Sequence, residues 1–217
     1  VRPHRLHFGS APRATTGMVV SFLLSLWLQP ALADMIDTSS MEPWEVCGLC
    51  HSLDGNSRMP KFPKLAGQRA AYIEKQFRDF HDGNRENDGG QMQAITTESE
   101  PANLPAIARY FSSLPAPQPV TDDMDTENAA TLFTKGREDL PACLTCHGST
   151  DPALPVAPWL EAQHAGYLAK QLTDFQNGNR KNDPDEVMRT IALKLTAEDI
   201  TRLSVFIAAQ IRPERTQ

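Results

Sequence analysis

Apolar residues recur at helical spacing in pairs of segments that resemble each other. Tyr72, Ile73, Phe77 and Phe80 lie on one face ahead of Gly83, as do Tyr167, Leu168, Leu172 and Phe175 ahead of Gly178. This period predicts amphipathic helices, each closed by a glycine that accepts a left-handed conformation. Ile200, Leu203, Phe206 and Ile207 follow the capping sequence Thr196-Ala-Glu-Asp199, and Leu104, Ile107, Tyr110 and Phe111 form the earlier counterpart. Two more helices are predicted over 40–50 and 126–135. No segment alternates as a strand does, so the predicted fold class is all-α.

The resemblance between segments extends to a duplication. Cys47-Gly-Leu-Cys50-His51 returns as Cys143-Leu-Thr-Cys146-His147, 96 positions later. Pro63, Leu65, Gln68, Tyr72, Gln76, Phe80, Gly83, Asn84, Arg85, Asn87 and Asp88 return as Pro158, Leu160, Gln163, Tyr167, Gln171, Phe175, Gly178, Asn179, Arg180, Asn182 and Asp183, at an offset of 95. The offset then reverts to 96, placing Met92 on Met188 and Ile95 on Ile191. A long unit seen twice is a duplicated domain, not a solenoid. The predicted organisation is a signal peptide over 1–33, a first domain over 34–115, a Pro-rich linker over 116–121 and a second domain over 122–217.

The leader is read from its three parts. Arg2, Arg5 and Arg13 precede the apolar run 18–28, and small residues Ala31 and Ala33 precede Asp34. This is the pattern of a secretory signal cleaved before Asp34; retention as an N-terminal anchor is the alternative. The full 217-residue chain has a net charge of −6. Without 1–33 it is −9, split −4 over 34–120 and −5 over 121–217. An acidic exported protein lacks the basic face that nucleic acid requires and favours redox partners with basic docking patches.

The four cysteines carry the chemistry. Each half is too small for a generous hydrophobic core, and CxxCH is the haem attachment sequence of c-type proteins. On one helical turn Cys47 and Cys50, or Cys143 and Cys146, reach the two vinyl groups of one porphyrin edge, and His51 or His147 reaches the iron. A zinc site shared by the pairs and a dithiol redox centre are the alternatives. Zinc must bridge pairs that lie in different repeats, and the dithiol needs a parallel sheet. Met92 and Met188 each lie 41 residues beyond their motif His and are the methionines that the repeat places in register, so they are the predicted distal iron ligands. His81 and His164 have no His opposite them and are predicted to be surface or hydrogen-bonding residues. With both axial positions filled by protein, two covalently bound haem c groups would carry single electrons and leave no open site for catalysis.

Tandem CxxCH units, Pro-x-Leu-x-x-Gln-x-x-x-Tyr, Gly-Asn-Arg-x-Asn-Asp and a following Met resemble the dihaem cytochrome c4 family over nearly all of 41–210. The resemblance implies two class I cytochrome c domains related by a pseudo-twofold axis, with haem propionates near their junction and a periplasmic location. It implies electron transfer from a quinol-oxidising complex or dehydrogenase to a terminal oxidase, without enzymatic activity. The other reading is an electron-transfer subunit of a periplasmic dehydrogenase complex that oxidises sulfur compounds or alcohols; a dihaem peroxidase or thiosulfate dehydrogenase is disfavoured by the matched methionines. Ser52 stands where such domains have Gly, and Ala162 replaces the Gly kept at Gly67. Thr96, Thr97 and Ser99 replace the apolar residues that follow the second Met, which predicts a wetter first haem edge. Arg85 and Arg180 are read either as partners of haem propionates or as solvated loop residues.

Overall fold

The computed structural model describes residues 40–121, 126–148 and 156–212. The leader 1–33 and its predicted cleavage point lie outside the described residues. Nine α-helices occur among those described: α1 Pro43–His51, α2 Ala70–His81, α3 Gln91–Glu98, α4 Leu104–Ser113, α5 Glu127–Lys135, α6 Leu144–His147, α7 Ala165–Gln176, α8 Val187–Ala192 and α9 Ala197–Ala208. Extended pairing among the described residues is confined to one isolated bridge between Arg137 and Leu140. The all-α prediction holds.

The helices begin and end for local reasons. Thr196 accepts a hydrogen bond from the Asp199 amide, and the Asp199 carboxylate accepts one from the Thr196 amide, both at 3.0 Å. This is the predicted capping box, and it starts α9. Glu42 and Glu45 form the same reciprocal cap on α1, where Pro43 occupies the first turn without wasting an amide. Gly83 and Gly178, at φ +73° and +76°, follow α2 and α7 as their sequences predict.

Two apolar clusters form, one in each repeat. Ile73, Phe77, Leu104, Ile107, Ala108 and Phe111 pack where α2 meets α4, with Trp44 and Leu65 against them. Leu132, Phe133, Leu168, Leu195, Ile200, Leu203 and Ile207 pack where α5 and α7 meet α9. Each large apolar side chain so buried contributes about 1.5–3 kcal/mol against exposure. Trp44 stacks on Tyr110 with ring centroids 4.9 Å apart, as a packing residue should. The principal helix pairings all fall within one repeat. Even so, Thr38–Gln217 forms one compact unit, because polar side chains and loop backbone join the halves.

Two features depart from the sequence reading. The helices expected before each motif are not equivalent: α1 carries Cys47, Cys50 and His51 itself, whereas α5 ends at Lys135 and a loop separates it from α6. The repeat partner of α5 is 31–39, outside the described residues. The helices α3 and α8, which hold Met92 and Met188, were not marked by periodicity because they are only eight and six residues long. Residues 115–121, with three prolines, adopt no helix, and the Val120 amide ties this stretch to α9 by donating to Ala208 O at 3.0 Å.

Candidate functional site

Each motif histidine ends its helix in the same setting. His51 Nδ1 lies 2.8 Å from Pro63 O, and His147 Nδ1 lies 2.8 Å from Pro158 O. A carbonyl only accepts, so Nδ1 carries the proton and Nε2 keeps a free lone pair. The carbonyl thereby fixes both tautomer and ring plane, as the second hydrogen bond of a metal-binding imidazole does. The rings are 5% and 7% exposed. Burial lowers the pKa of both, so they stay neutral and able to donate to a metal. Pro63 and Pro158 were visible in the repeat, but their role as acceptors was not.

The thiols also match. Cys47 is half-buried and Cys50 exposed on α1; Cys143 caps α6 and Cys146 lies within it. Burial pushes Cys47 and Cys143 each up to about 11, the opposite of an activated thiolate. The four are not joined in disulfides. No group of three or more His, Cys, Asp or Glu side chains comes together among the described residues, so the two pairs do not assemble a shared zinc site. Met92 and Met188 are each the second residue of their helix and are half-buried. His81 pairs with Asp82 at 2.8 Å, and His164 Nε2 lies 2.9 Å from Ser57 O, the hydrogen-bonding roles expected of them.

Between the halves lies a polar network with twofold exchange. Arg85 reaches Asn87 Oδ1 at 2.9 Å, Gln76 Oε1 at 2.6 Å, Tyr167 OH at 3.1 Å and Gln171 Oε1 at 2.8 Å. Arg180 reaches the repeat-matched Asn182, Gln171, Tyr72 and Gln76 at 2.9, 2.9, 3.4 and 3.0 Å. The guanidiniums lie 4.5 Å over the Phe80 and Phe175 rings. At 5% and 6% exposure these are not solvated loop residues. Every one of these hydrogen-bond partners is neutral. Burial, together with the Arg85 charge, draws the Arg180 pKa down. Arg85 has the Asp88 carboxylate among the groups that favour its charge, whereas no carboxylate does so for Arg180; positive charge is therefore in excess at the junction, and an uncompensated buried charge is costly.

Further ties cross the junction. Asn87 donates to Gln171 at 3.0 Å and Asp174 at 2.6 Å; Asn182 donates to Gln76 at 3.0 Å and also to Asp79. No local feature of the sequence marks this bridging role of the asparagines. Lys170 and Lys75 each pair with the aspartate four residues on and reach Asn87 O and Asn182 O at 2.6 Å. Trp159 carries the Arg69 guanidinium 4.1 Å from its ring centroid. The polar replacements after Met92 do not all face water: Thr96 is fully buried and donates to Met92 O at 2.8 Å, whereas Leu193 of the second half is 68% exposed.

No family model matches the chain. Known proteins do. The chain is 39% identical over 196 residues to cytochrome c4 of Pseudomonas aeruginosa, spanning 88% of this chain and 96% of that protein. It is 31% identical over 199 residues to a thiosulfate dehydrogenase electron acceptor of Stutzerimonas stutzeri, spanning 88% and 91%. Among solved structures, reduced recombinant cytochrome c4 from Pseudomonas stutzeri superposes with a TM-score of 0.68 at 40% identity, over 76% of this chain and 93% of that one. With the duplicated motif, the neutral buried imidazoles and the all-helical fold, these likenesses establish that the chain belongs to the cytochrome c4 family of periplasmic dihaem electron carriers, which are not enzymes.

Proposed function

We propose that Cys47 and Cys50 hold one haem and Cys143 and Cys146 the other, with His51 and Met92, and His147 and Met188, as axial iron ligands. The observation that carries this reading is the repeated imidazole setting, in which Pro63 and Pro158 carbonyls orient two buried neutral rings with Nε2 free. When bound, each haem supplies a reversible one-electron couple. The residues of this chain do the rest. The thioethers anchor the ring, the carbonyl-locked imidazoles fix one ligand direction, and the methionines favour the reduced state relative to a second histidine. The two domains are those of the duplication, 34–115 and 122–217, joined by 116–121.

Arg85 and Arg180 fit the haem carboxylates. A pair of buried guanidiniums bonded only to neutral side chains matches a group that brings its own anions to the junction. Propionates there would draw the two haem edges towards one another, so the junction would be the internal electron route.

The electron donor in this reading is a quinol-oxidising complex or a dehydrogenase and the acceptor a terminal oxidase, each docking through a basic patch onto an acidic surface. A second reading has one observation in its favour. In it the chain is an electron-transfer subunit of a periplasmic dehydrogenase complex that oxidises sulfur compounds or alcohols, and relatives described as thiosulfate dehydrogenase electron acceptors favour a partner of that chemistry.

The test of ligation is the optical spectrum of the oxidised holoprotein. Two low-spin haems with sulfur-to-iron charge-transfer absorption are expected, and Met92→Ala or Met188→Ala should each remove that absorption from one haem. A wild-type protein without it would overturn the axial assignment. For the partners, rapid mixing of the reduced holoprotein with an oxidase, and of the oxidised one with thiosulfate dehydrogenase supplied with thiosulfate as reductant, should show which exchange is fast and whether it slows with salt.

A further inference from the structure

The two methionine segments match in sequence register but are not held alike. In the second half, Asp183 is clamped to Arg189: its Oδ1 accepts from Arg189 Nε at 2.8 Å and its Oδ2 from the Arg189 amide at 3.0 Å. The Asp183 side chain is 2% exposed and the Arg189 side chain 25%, so the carboxylate of this ion pair is shielded from water while the guanidinium is partly exposed. Gln176 on α7 then crosses to the segment and donates to Ala192 O at 2.9 Å and Leu195 O at 2.7 Å. Arg137 donates to Lys194 O and pairs with Asp199 at 3.0 Å, tying the end of the segment to the loop before α6.

The Arg189, Gln176 and Arg137 side-chain ties have no counterpart in the first half, where only the aspartate cap on a backbone amide is kept. Arg189 corresponds to Gln93, and Gln176 to His81, whose ring turns instead to Asp82. Asp88 caps the turn by accepting from the Gly90 amide at 3.1 Å and the Met92 amide at 2.6 Å. Thr96, Thr97 and Ser99 bond back to Met92, Gln93 and Ile95 carbonyls within the same segment. Among the described residues, every hydrogen bond of 89–99 stays within 88–99. The turn itself is Gly89-Gly90, both at positive φ with open space where a side chain would stand, against Pro184-Asp185-Glu186 in the second half. Adjacent glycines confer the greatest backbone freedom, while Pro restricts it. Asp185 and Glu186 sit at φ +51° and +58°, a strain that persists because the surrounding ties over-determine it.

We propose that the Met92 segment is the one that opens, so that the first half has a second, exchangeable binding site: the axial position vacated by Met92, taken by a small strong-field ligand such as cyanide or imidazole. This rests on the axial assignment above. The exchange is a substitution at constant oxidation state. The iron–sulfur bond to Met92 breaks and one iron–ligand bond forms from the incoming lone pair. The thioether leaves with its own electron pair as 89–99 swings away.

The probe is potassium cyanide added to oxidised holoprotein, followed by the sulfur-to-iron charge-transfer absorption. Met188→Ala leaves only the Met92 band to follow, and Met92→Ala only the Met188 band. The Met92 band should bleach roughly tenfold or more faster, about what one charge-assisted hydrogen bond contributes. Arg189→Gln should bring the Met188 band towards the faster rate, and Gln93→Arg, which offers Asp88 the missing clamp, should slow the Met92 band. Hydrogen exchange of the unmodified holoprotein gives an independent reading, with 89–99 expected to exchange before 184–195. Equal bleaching of the two bands, faster loss of Met188, or exchange in the opposite order overturns the proposal. Absence of the bands before cyanide is added overturns the axial assignment instead.

Discussion

The side-chain amide of Gln68 bonds both backbone groups of Trp159 across the junction: Nε2 donates to Trp159 O and Oε1 accepts from its amide, each at 2.9 Å. Gln163 does the same to Lys64, the repeat partner of Trp159, again at 2.9 Å in both directions. Two amides thus act as reciprocal clasps, each completing backbone that its own half leaves unpaired. Gln68→Ala strips partners from a buried amide and a buried carbonyl at once. An orphaned buried group costs about 1–3 kcal/mol, so a loss of about 2–6 kcal/mol is expected in denaturant unfolding of the holoprotein. Gln163→Ala should cost a similar amount. If either variant were as stable as the parent, the clasp would contribute nothing to holding the halves together.

The Arg85 and Arg180 guanidiniums test whether the junction receives haem carboxylates. Removing a buried positive charge near a haem makes reduction harder, because the extra electron loses a favourable interaction. Arg85→Gln and Arg180→Gln should each lower a reduction potential, by an amount on the order of 60 mV if the lost interaction is about 1.4 kcal/mol. Potentiometric titration reads both haems separately. Unchanged potentials in both variants would place the carboxylates elsewhere.

The sequence made the long elements legible and the short ones not. The α2, α4, α7 and α9 helices each present an apolar face over ten or more residues, enough turns for periodicity to register. The α3 and α8 helices give one or two turns that bury only Thr96 and Ala192, and they start at caps from Asp88 and Asp183 that a pattern of hydrophobicity does not contain. Duplication was the stronger guide to the site, since it singled out Cys, His and Met together. It also displayed Gln68, Gln76 and Asn87 as matched positions without a reason for the match, and left Arg85 between a propionate partner and a solvated loop residue. Their role is to bond across to the other half, a relation between distant segments that no local spacing encodes.

Ser52 illustrates how a departure from the repeat becomes a stability prediction. It follows His51 with φ 64° and ψ 148°, a conformation that suits glycine, while Gly148, which follows His147, sits at φ −89°. The glycine is therefore absent from the half whose backbone needs it. A non-glycine residue held there costs on the order of 1–3 kcal/mol. Ser52→Gly relieves that strain at the expense of a more flexible unfolded chain, which offsets about 1 kcal/mol. A net gain of about 1 kcal/mol is expected, measured as a raised thermal midpoint with an unchanged haem spectrum. A lowered midpoint would mean that the Ser52 hydroxyl contributes more than the strain.

His164 sets a pH dependence on the junction. Its Nε2 donates to Ser57 O at 2.9 Å, and burial, with the Lys64 charge nearby, lowers its pKa below the ordinary 6.5, although the Ser57 carbonyl acts in the other direction. The unfolded chain then binds a proton at a pH where the folded one does not. Stability is full above the unfolded value and falls as pH drops from about 6.5 towards the lowered folded value, below which the loss is complete. His51 and His147 are shifted in the same direction, so the parent protein alone does not isolate this contribution. His164→Gln does, because its amide still reaches towards Ser57 O but does not titrate. Denaturant unfolding from pH 7.5 down to about 5 should give a shallower fall for the variant than for the parent. Parallel curves would mean that His164 keeps the same pKa folded and unfolded, and that the junction has no pH sensitivity at this residue.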